Sequence, residues 1–145
     1  MMRFFWKKKT PKAVFLGDLE KAVMEILWAN GPLSGREVYE KIRPYHQVAL
    51  TTILTILNRL QKKGLVKKEL GAKIFLFRPV VSQEEWKNSL ILEYLQRALS
   101  LSPEAVISNF ADILTQLSPT EFSQIITTIV EKRRTAEKRQ DEKQS

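Results

Sequence analysis

Residues 50–64, LTTILTILNRLQKKG, have the periodicity of an amphipathic helix with an unusual polar face. At 100° per residue, the apolar side chains fall on one side, which we predict to be the core face: Leu50, Ile53, Leu54, Ile56, Leu57 and Leu60. The opposite side carries short or cationic side chains: Thr51, Thr52, Thr55, Asn58, Arg59 and Lys62. Threonine is a mediocre helix former, so three threonines on a face without core contacts predict a purpose other than helix stability.

The segments on both sides of this helix predict the rest of a small domain. Residues 17–30 have apolar residues at helical spacing and stop at Asn-Gly-Pro, and residues 34–42 begin with the capping box of Ser34 and Glu37. After Gly64, LVKKEL and KIFLFRP predict two short strands around a tight turn at Gly71-Ala72. Three helices followed by a hairpin are typical of a winged helix-turn-helix domain, which we place at residues 17–80. The fold class is therefore mainly α with a small β-hairpin wing.

In that fold the third helix lies in the major groove of DNA, which gives the threonines a purpose. Threonine is short, and it offers a hydroxyl to phosphates or base edges and a methyl group to thymine. The remaining predicted DNA-binding residues are polar or basic: Asn58, Arg59, Lys62, Lys63, Lys67, Lys68, Lys73, Arg36 and His46. The alternatives are an ordinary solvated helix surface, wing lysines that only protect a strand edge, or a winged helix that docks a protein.

The distribution of charge supports a polyanionic partner. The net charge of +8 divides into +5 for residues 1–16, +5 for residues 17–80, −5 for residues 81–131 and +3 for residues 132–145. A basic half beside an acidic segment predicts that one part meets nucleic acid and the other has a different task. The chain has no cysteine, no apolar run long enough for a bilayer and a poor signal peptide, so we expect a cytoplasmic protein.

Three stretches carry a resemblance to a known family: LGDLEKAVMEILWANGPLSGREVYEKI, ALTTILTILNRLQKKGLVKKELG and FRPVVSQEE. They resemble the penicillinase-repressor family of bacterial winged-helix regulators, of the BlaI, MecI and CopY type, over residues 16 to about 117. The resemblance implies a homodimeric repressor of a dyad-symmetric operator, with Thr51, Thr52 and Thr55 facing the groove. Some members carry Lys or Arg at the positions of Thr51 and Leu54, and the copper-responsive members carry a cysteine cluster that this chain lacks.

Residues 81–131 are predicted to form a helical dimerisation domain. A capping box at Ser82 and two Ser-Pro pairs mark the N-termini of three helices. Each helix carries an apolar face, and the winged domain is self-sufficient without these faces. The predicted dimer contacts are Trp86, Leu90, Ile91, Tyr94, Leu95, Leu99, Phe110 and Leu114. The alternative is that these helices fold back on the winged domain of a monomer.

Asn109-Phe110 matches the bond that, by the resemblance, a membrane-embedded metalloprotease sensor cuts in β-lactam-responsive members. Proteolysis at this bond is a hypothesis, because Phe110 also fits a plain core position on the apolar stripe of its helix. The resemblance thus implies a possible membrane protease as a partner, besides double-stranded DNA and a second copy of the chain.

The two ends of the chain, residues 1–16 and 132–145, are predicted to lie outside the winged and dimerisation domains. Residues 1–16 form a basic extension in which aromatic residues alternate with lysines, and a minor-groove arm, a membrane-surface anchor and a mobile extension are the alternatives. Residues 132–145 are predicted to fray into solvent.

A single histidine, no cysteine and no glycine-rich phosphate loop predict no enzyme, no metal and no cofactor. A ligand-responsive regulator would want a pocket between the dimerisation helices, and no sequence feature marks one.

Overall fold

The computed structural model describes residues 13–144. Six helices and one hairpin follow each other in the order α1 (Asp18–Asn30), α2 (Gly35–Ile42), α3 (Leu50–Lys62), β1 (Val66–Leu70), β2 (Phe75–Pro79), α4 (Gln83–Leu101), α5 (Pro103–Leu114) and α6 (Pro119–Gln144). The mainly helical fold with one antiparallel hairpin that the sequence predicts is confirmed. The chain divides into two compact units, here called the winged-helix unit, which ends at Gln96, and the helical unit, which begins at Arg97.

The core of the winged-helix unit joins α1, α2 and α3 to the hairpin. Its buried apolar side chains are Val23, Met24, Leu27, Leu33, Val38, Ile42, Ile53, Ile56, Leu57, Leu60, Leu65, Val66, Phe77 and Trp86. One half of the predicted capping box is present at the N-terminus of α2, where the Ser34 hydroxyl accepts a 3.1 Å hydrogen bond from the backbone N–H of Glu37. Gly64, with a φ of 79°, ends α3 and turns the chain into β1, which a residue with a side chain does only under strain.

The hairpin, which we call the wing, is attached to the helices by a third short segment. Leu33 exchanges two backbone hydrogen bonds with Phe77, of 3.1 and 2.7 Å, so β2 is paired on both sides. The predicted tight turn is present but extends further than Gly71-Ala72, because it comprises residues 71–74 and is closed by a 2.7 Å bond from Gly71 N–H to the Ile74 carbonyl. A Cβ atom at Gly71 would lie 2.8 Å from that oxygen, so the loop requires glycine.

One face of the wing carries apolar side chains along its whole length but is buried only at its base. The register pairs Val66 with Pro79, Lys68 with Phe77 and Leu70 with Phe75, and directly opposed residues share a face of a hairpin. Val66 and Phe77 are buried on this face, whereas Leu70 is 73% exposed and Phe75 is 50% exposed. The apolar face therefore extends past the side chains that cover its base.

The first half of α4 belongs to the winged-helix unit, which corrects two predictions. Trp86 is buried, its indole N–H donates a 2.8 Å hydrogen bond to the Val14 carbonyl, and its ring lies 5.4 Å from that of Trp28. Trp86 is therefore a core residue and not a dimer contact, and Leu90 packs against the same core. Because these side chains complete the core, the boundary between the units falls at residues 96–97 and not at the predicted 80–81.

The predicted extension at residues 1–16 overlaps this core at its end. Val14 and Leu16 pack against the buried cluster, and the Phe15 ring meets the Tyr94 ring edge-on at 5.5 Å between centroids. The stretch with alternating aromatic residues and lysines lies outside the described residues, so its role stays a prediction.

The helical unit has well-formed helix ends but no buried side chain. The Ser102 hydroxyl caps α5, and Ser118 and Glu121 form a reciprocal capping box at the start of α6. Hydrogen bonds from the Ser118 backbone and hydroxyl hold the pKa of the Glu121 carboxyl below its ordinary value. No residue of α5 or α6 is buried by the chain itself.

The prediction that residues 132–145 fray is wrong up to Gln144, because α6 continues through this segment. Its residues are mostly strong helix formers, and an i,i+4 ion pair of 3.2 Å joins Arg133 to Glu137. A helix of this composition needs no apolar face to form, which is why the missing periodicity was misleading. Within residues 13–144, no helix is both long and apolar enough to span a bilayer.

Candidate nucleic-acid interface

The outer face of α3 is left uncovered by residues 13–144. All six residues of its predicted polar face are exposed, namely Thr51, Thr52, Thr55, Asn58, Arg59 and Lys62. On the opposite side, Ile53, Leu57 and Leu60 are fully buried. The periodicity of the sequence thus placed the boundary between core and surface on this helix correctly for most positions.

Leu54 is the exception on the predicted core face, because it remains 39% exposed. It lies at the edge of α3 beside the N-terminus of α2, where a Cβ atom at Gly35 would come within 2.5 Å of the Leu54 Cδ2 atom. The missing side chain of Gly35 allows Leu54 to lean against α2, so part of its surface faces a groove and not the core.

The threonine hydroxyls differ in what they are free to bind. The Thr55 hydroxyl donates a 2.9 Å hydrogen bond to the Thr51 carbonyl, so it offers only its lone pairs and its methyl group outward. Within the described residues, the hydroxyls of Thr51 and Thr52 have no protein partner. The face therefore presents both donor hydroxyls and methyl groups, the two kinds of group that meet base edges in the major groove.

The N-terminus of α3 has no side-chain cap. Its N-cap residue is Ala49, and its first turn contains no acidic residue. The preceding loop exposes His46, as predicted, and also Tyr45, which is 83% exposed. Tyr45 and Ala49 were not among the predicted residues of this surface. The available sequence signals are an aromatic residue and an N-cap without a polar side chain just before the helix.

Other elements border both flanks of the polar face. On one flank, Thr52, Thr55 and Arg59 share a depression of about 410 Å³ with the start of α1 at residues 17–20. On the other flank, Leu50 and Leu54 share a groove with α2 and the wing. These neighbours come from tertiary packing, so no local sequence signal could have identified them.

The predicted basic residues of the wing and of α2 are exposed. Lys67 and Arg78 lie 4.0 and 3.4 Å from the carboxylate of Glu69, and Lys73 lies in the loop at the wing tip. The Lys68 ammonium lies 4.3 Å from the centre of the Phe75 ring. Arg36 is exposed in the first turn of α2. The wing therefore carries an excess of cationic side chains, and Arg78, which was not among the predicted DNA-binding residues, is one of them.

Lys63 does not join this surface, which corrects its predicted role. Its ammonium lies 2.7 Å from the Glu20 carboxylate and 3.4 Å from the Phe15 carbonyl oxygen. The ion pair links the end of α3 to the start of α1, and the Glu20 side chain is only 14% exposed. The charge of Lys63 is therefore partly neutralised by Glu20, whereas Lys62 has no carboxylate partner among residues 13–144.

The site contains the groups for binding a polyanion. Within residues 13–144, no group of three or more His, Asp or Glu side chains could hold a metal ion. Hydroxyls, an amide and cations without a buried titratable group suit recognition of an extended charged surface.

This fold and this surface define a winged helix-turn-helix protein with an open recognition helix and a basic wing. The chain belongs to the penicillinase repressor family, whose family model matches residues 16–131. The resemblance deduced from the sequence is thereby confirmed. Because the family consists of transcriptional repressors, the chain is not an enzyme.

Individual relatives agree with this assignment. The chain is similar to the transcriptional regulator BlaI of Mycobacterium tuberculosis, with 35% identity over 103 residues, which are 70% of this chain and 75% of that protein. It is 26% identical over 100 residues to the penicillinase repressor of Staphylococcus aureus, covering 69% of this chain and 79% of that protein.

Solved structures similar to the chain include that of Bacillus licheniformis BlaI in its monomeric form with the blaP half-operator. It has 26% identity and a TM-score of 0.46, and the match covers 51% of this chain and 90% of that one. The DNA-binding domain of the repressor BlaI gives 27% identity and a TM-score of 0.45, with coverage of 54% and 92%.

Proposed function

We propose that the protein is a transcriptional repressor that binds a dyad-symmetric operator as a homodimer in the cytoplasm. The observation that carries this proposal is the threonine face of α3, which the described part of the chain leaves exposed. Membership in the penicillinase repressor family supports the same function. In this proposal α3 enters the major groove, and the wing contacts the flanking backbone.

The side chains of α3 divide the work of binding. Thr51, Thr52 and Thr55 are short enough to let the helix approach the base edges closely. Asn58 suits a bidentate contact with adenine, and Arg59 and Lys62 reach phosphates from the last turns of the helix. Lys67, Lys68, Lys73, Arg36 and His46 add phosphate contacts around this centre.

The neighbouring residues Lys62 and Lys63 provide a matched test of this interface. We expect Lys62→Ala to reduce the slope of log affinity against log salt by about 0.9, because one phosphate contact is lost. The same change should leave the free energy of unfolding within about 0.5 kcal/mol of wild type. Lys63→Ala should leave the salt slope unchanged and lower the stability by about 1 kcal/mol, because it removes the pair with Glu20.

The measurements are fluorescence anisotropy titrations on DNA from upstream of the protein's own gene, at several salt concentrations, and urea denaturation. An unrelated duplex of equal length separates sequence preference from general attraction to phosphate. Absence of binding at low salt would remove the proposal. Equal salt slopes for the two variants would remove Lys62 from the interface.

The exposed apolar side chains of the last three helices support the homodimer. Ile91, Tyr94, Leu95, Leu99 and Phe110 are each at least 39% exposed, and Leu114 is partly buried. Helices with such stripes gain stability when a partner covers them. A second copy is the partner that the proposed two-fold symmetry of the operator requires.

Phe110 and Phe75 are a matched pair of positions for testing the dimer, because both are phenylalanines of nearly equal exposure. Phe110 of α5 is 48% exposed and Phe75 of the wing is 50% exposed. We expect Phe110→Ala to raise the dimer dissociation constant about tenfold or more, because large aromatic anchors dominate interfaces. Phe75→Ala should leave it unchanged. Sedimentation equilibrium measures both values, and a monomeric wild-type protein at all concentrations would contradict the dimer.

Regulated cleavage between Asn109 and Phe110 is a further part of the proposal. Both residues are exposed, but they lie inside α5, and the Asn109 amide donates a 2.8 Å bond to the Ala105 carbonyl. Proteolysis of a helical bond proceeds through a locally opened state, so α5 has to unwind before this bond is cut.

We expect the cognate membrane metalloprotease sensor, once induced, to produce fragments that end at Asn109 and begin at Phe110. Mass spectrometry of the full-length repressor after incubation with sensor-containing membranes identifies the new ends, and membranes without inducer are the control. An intact Asn109–Phe110 bond in induced membranes would refute this part of the proposal and leave DNA binding unaffected.

A further inference from the structure

A groove of about 820 Å³ lies between the start of α2, the first half of α3 and the wing. Leu50 and Leu54 of α3 line one part of it, and Ile74, Phe75 and Phe77 of the wing line another. A ligand pocket was expected, if anywhere, between the dimerisation helices. This groove lies instead within the winged-helix unit, directly beside the proposed DNA-binding surface.

Among the described residues, the apolar walls of this groove are only partly covered. Ile74 is 52% exposed, Phe75 is 50% exposed and Leu54 is 39% exposed. They come from different elements, and the wing residues belong to the apolar surface that extends past the core. Apolar surfaces that converge on one cavity of this size favour a compact ligand with an apolar body, because that body removes them from water.

Charges at the groove favour an anionic ligand. Three cationic side chains, Arg36, Lys41 and Lys68, line it together with two carboxylates, Glu37 and Glu40. The Glu40 carboxylate lies 3.4 Å from the guanidinium of Arg43, which neutralises part of its charge. The groove therefore has an excess of positive charge.

Lys68 is the cation best placed to bind a ligand. The wing contains one carboxylate, Glu69, which lies near Lys67 and Arg78. Within the described residues, Lys68 has no carboxylate partner, and its ammonium lies against the face of the Phe75 ring. A ligand that packs beside this ring, against Ile74, would bring its own carboxylate next to that ammonium.

We propose that this groove binds a small amphipathic anion, a carboxylate attached to an aromatic or alicyclic ring, and that binding lowers operator affinity. The effect on operator affinity rests on the proposed function, because a Lys68 that pairs with the ligand no longer contacts a DNA phosphate. The basic segment of residues 1–12 is a poorer occupant, since it carries five cationic side chains and no acidic one toward a cationic groove.

The first experiment measures the ligand without DNA. The full-length protein with labelled Ile and Leu methyl groups is titrated with 2-naphthoate and, as a neutral control, with 2-naphthamide. We expect 2-naphthoate to shift the methyl signals of Leu50, Leu54 and Ile74, and 2-naphthamide to bind at least fivefold more weakly. Shifts confined to Ile107 and Ile113 of α5, or equal binding of the amide, would overturn the site.

A matched pair of wing variants tests the role assigned to the ammonium. Lys68→Ala should weaken 2-naphthoate binding at least fivefold, and Lys67→Ala, on the other face of β1, should leave it within twofold of wild type. Groove signals that shift when residues 1–12 are deleted would identify that segment as the occupant and overturn the proposal.

The second experiment adds operator DNA. We expect 2-naphthoate to raise the dissociation constant of the wild-type complex at least threefold and to have no such effect on Lys68→Ala. If 2-naphthoate binds without any change in DNA affinity, the proposed effect on operator affinity is overturned, and the groove remains a ligand site. Failure of DNA binding itself would leave the first experiment unaffected, so the two proposals fail separately.

Discussion

Replacing Leu57 by alanine is expected to lower the free energy of unfolding of the winged-helix unit by about 3 kcal/mol. Leu57 is fully buried between α1, α2 and α3, so the substitution removes apolar contacts and leaves a cavity that the packed core fills only partly. Operator binding should be lost at temperatures where the variant is unfolded and retained where it is folded.

Leu54 provides the control on the same helix. Leu54→Ala removes the same atoms at a position that is 39% exposed, and we expect a loss of about 1 kcal/mol or less. Urea denaturation followed by tryptophan fluorescence measures both, because Trp28 and Trp86 lie in the winged-helix unit. Equal losses for the two variants would contradict the division of α3 into a core face and an outer face.

Thr55→Glu is expected to weaken operator binding about 100-fold, which corresponds to about 2.7 kcal/mol. The substitution places a carboxylate at the centre of the exposed face, where it would meet the phosphates and acceptor groups of DNA. The fold should be retained, because Thr55 is exposed at an open depression, where a longer side chain has room to extend into solvent. Fluorescence anisotropy at constant salt gives the loss, and urea denaturation verifies the fold.

Thr135→Glu is a closely matched control. Thr135 of α6 is also exposed, and its hydroxyl also donates to the carbonyl four residues earlier, at 3.0 Å compared with 2.9 Å for Thr55. The two variants have the same net charge, so general repulsion from DNA is equal. If Thr135→Glu lost as much operator affinity as Thr55→Glu, the threonine face of α3 would not be the DNA-contacting surface.

The helices and the core of the winged-helix unit were predictable because local signals coincide with tertiary structure there. In α3, the positions that the period assigns to the core are buried at Ile53, Ile56, Leu57 and Leu60. Leu54 departs from the pattern because Gly35 lets it lean toward α2. A helical wheel describes one helix and contains no information about which neighbour approaches each flank.

The remaining errors have the same origin. Trp86 belongs to an amphipathic stripe, and only the structure shows that its indole reaches the Val14 carbonyl across 72 positions of sequence. Lys63 follows a basic residue in a basic run, but its partner Glu20 is 43 positions away. Among the site residues, the exposed side chains of α3 follow from periodicity, whereas partners distant in sequence do not.

The attachment of β2 through Leu33 has a consequence for the thermodynamics of recognition. Two backbone hydrogen bonds join Phe77 to Leu33, so the base of the hairpin is held between β1 and the loop before α2. Its backbone has already lost most of its conformational entropy before any encounter with a ligand. Binding then has to immobilise only residues 71–74 at the tip and the long side chains, and this preorganisation keeps the entropic cost of engaging the cationic hairpin small.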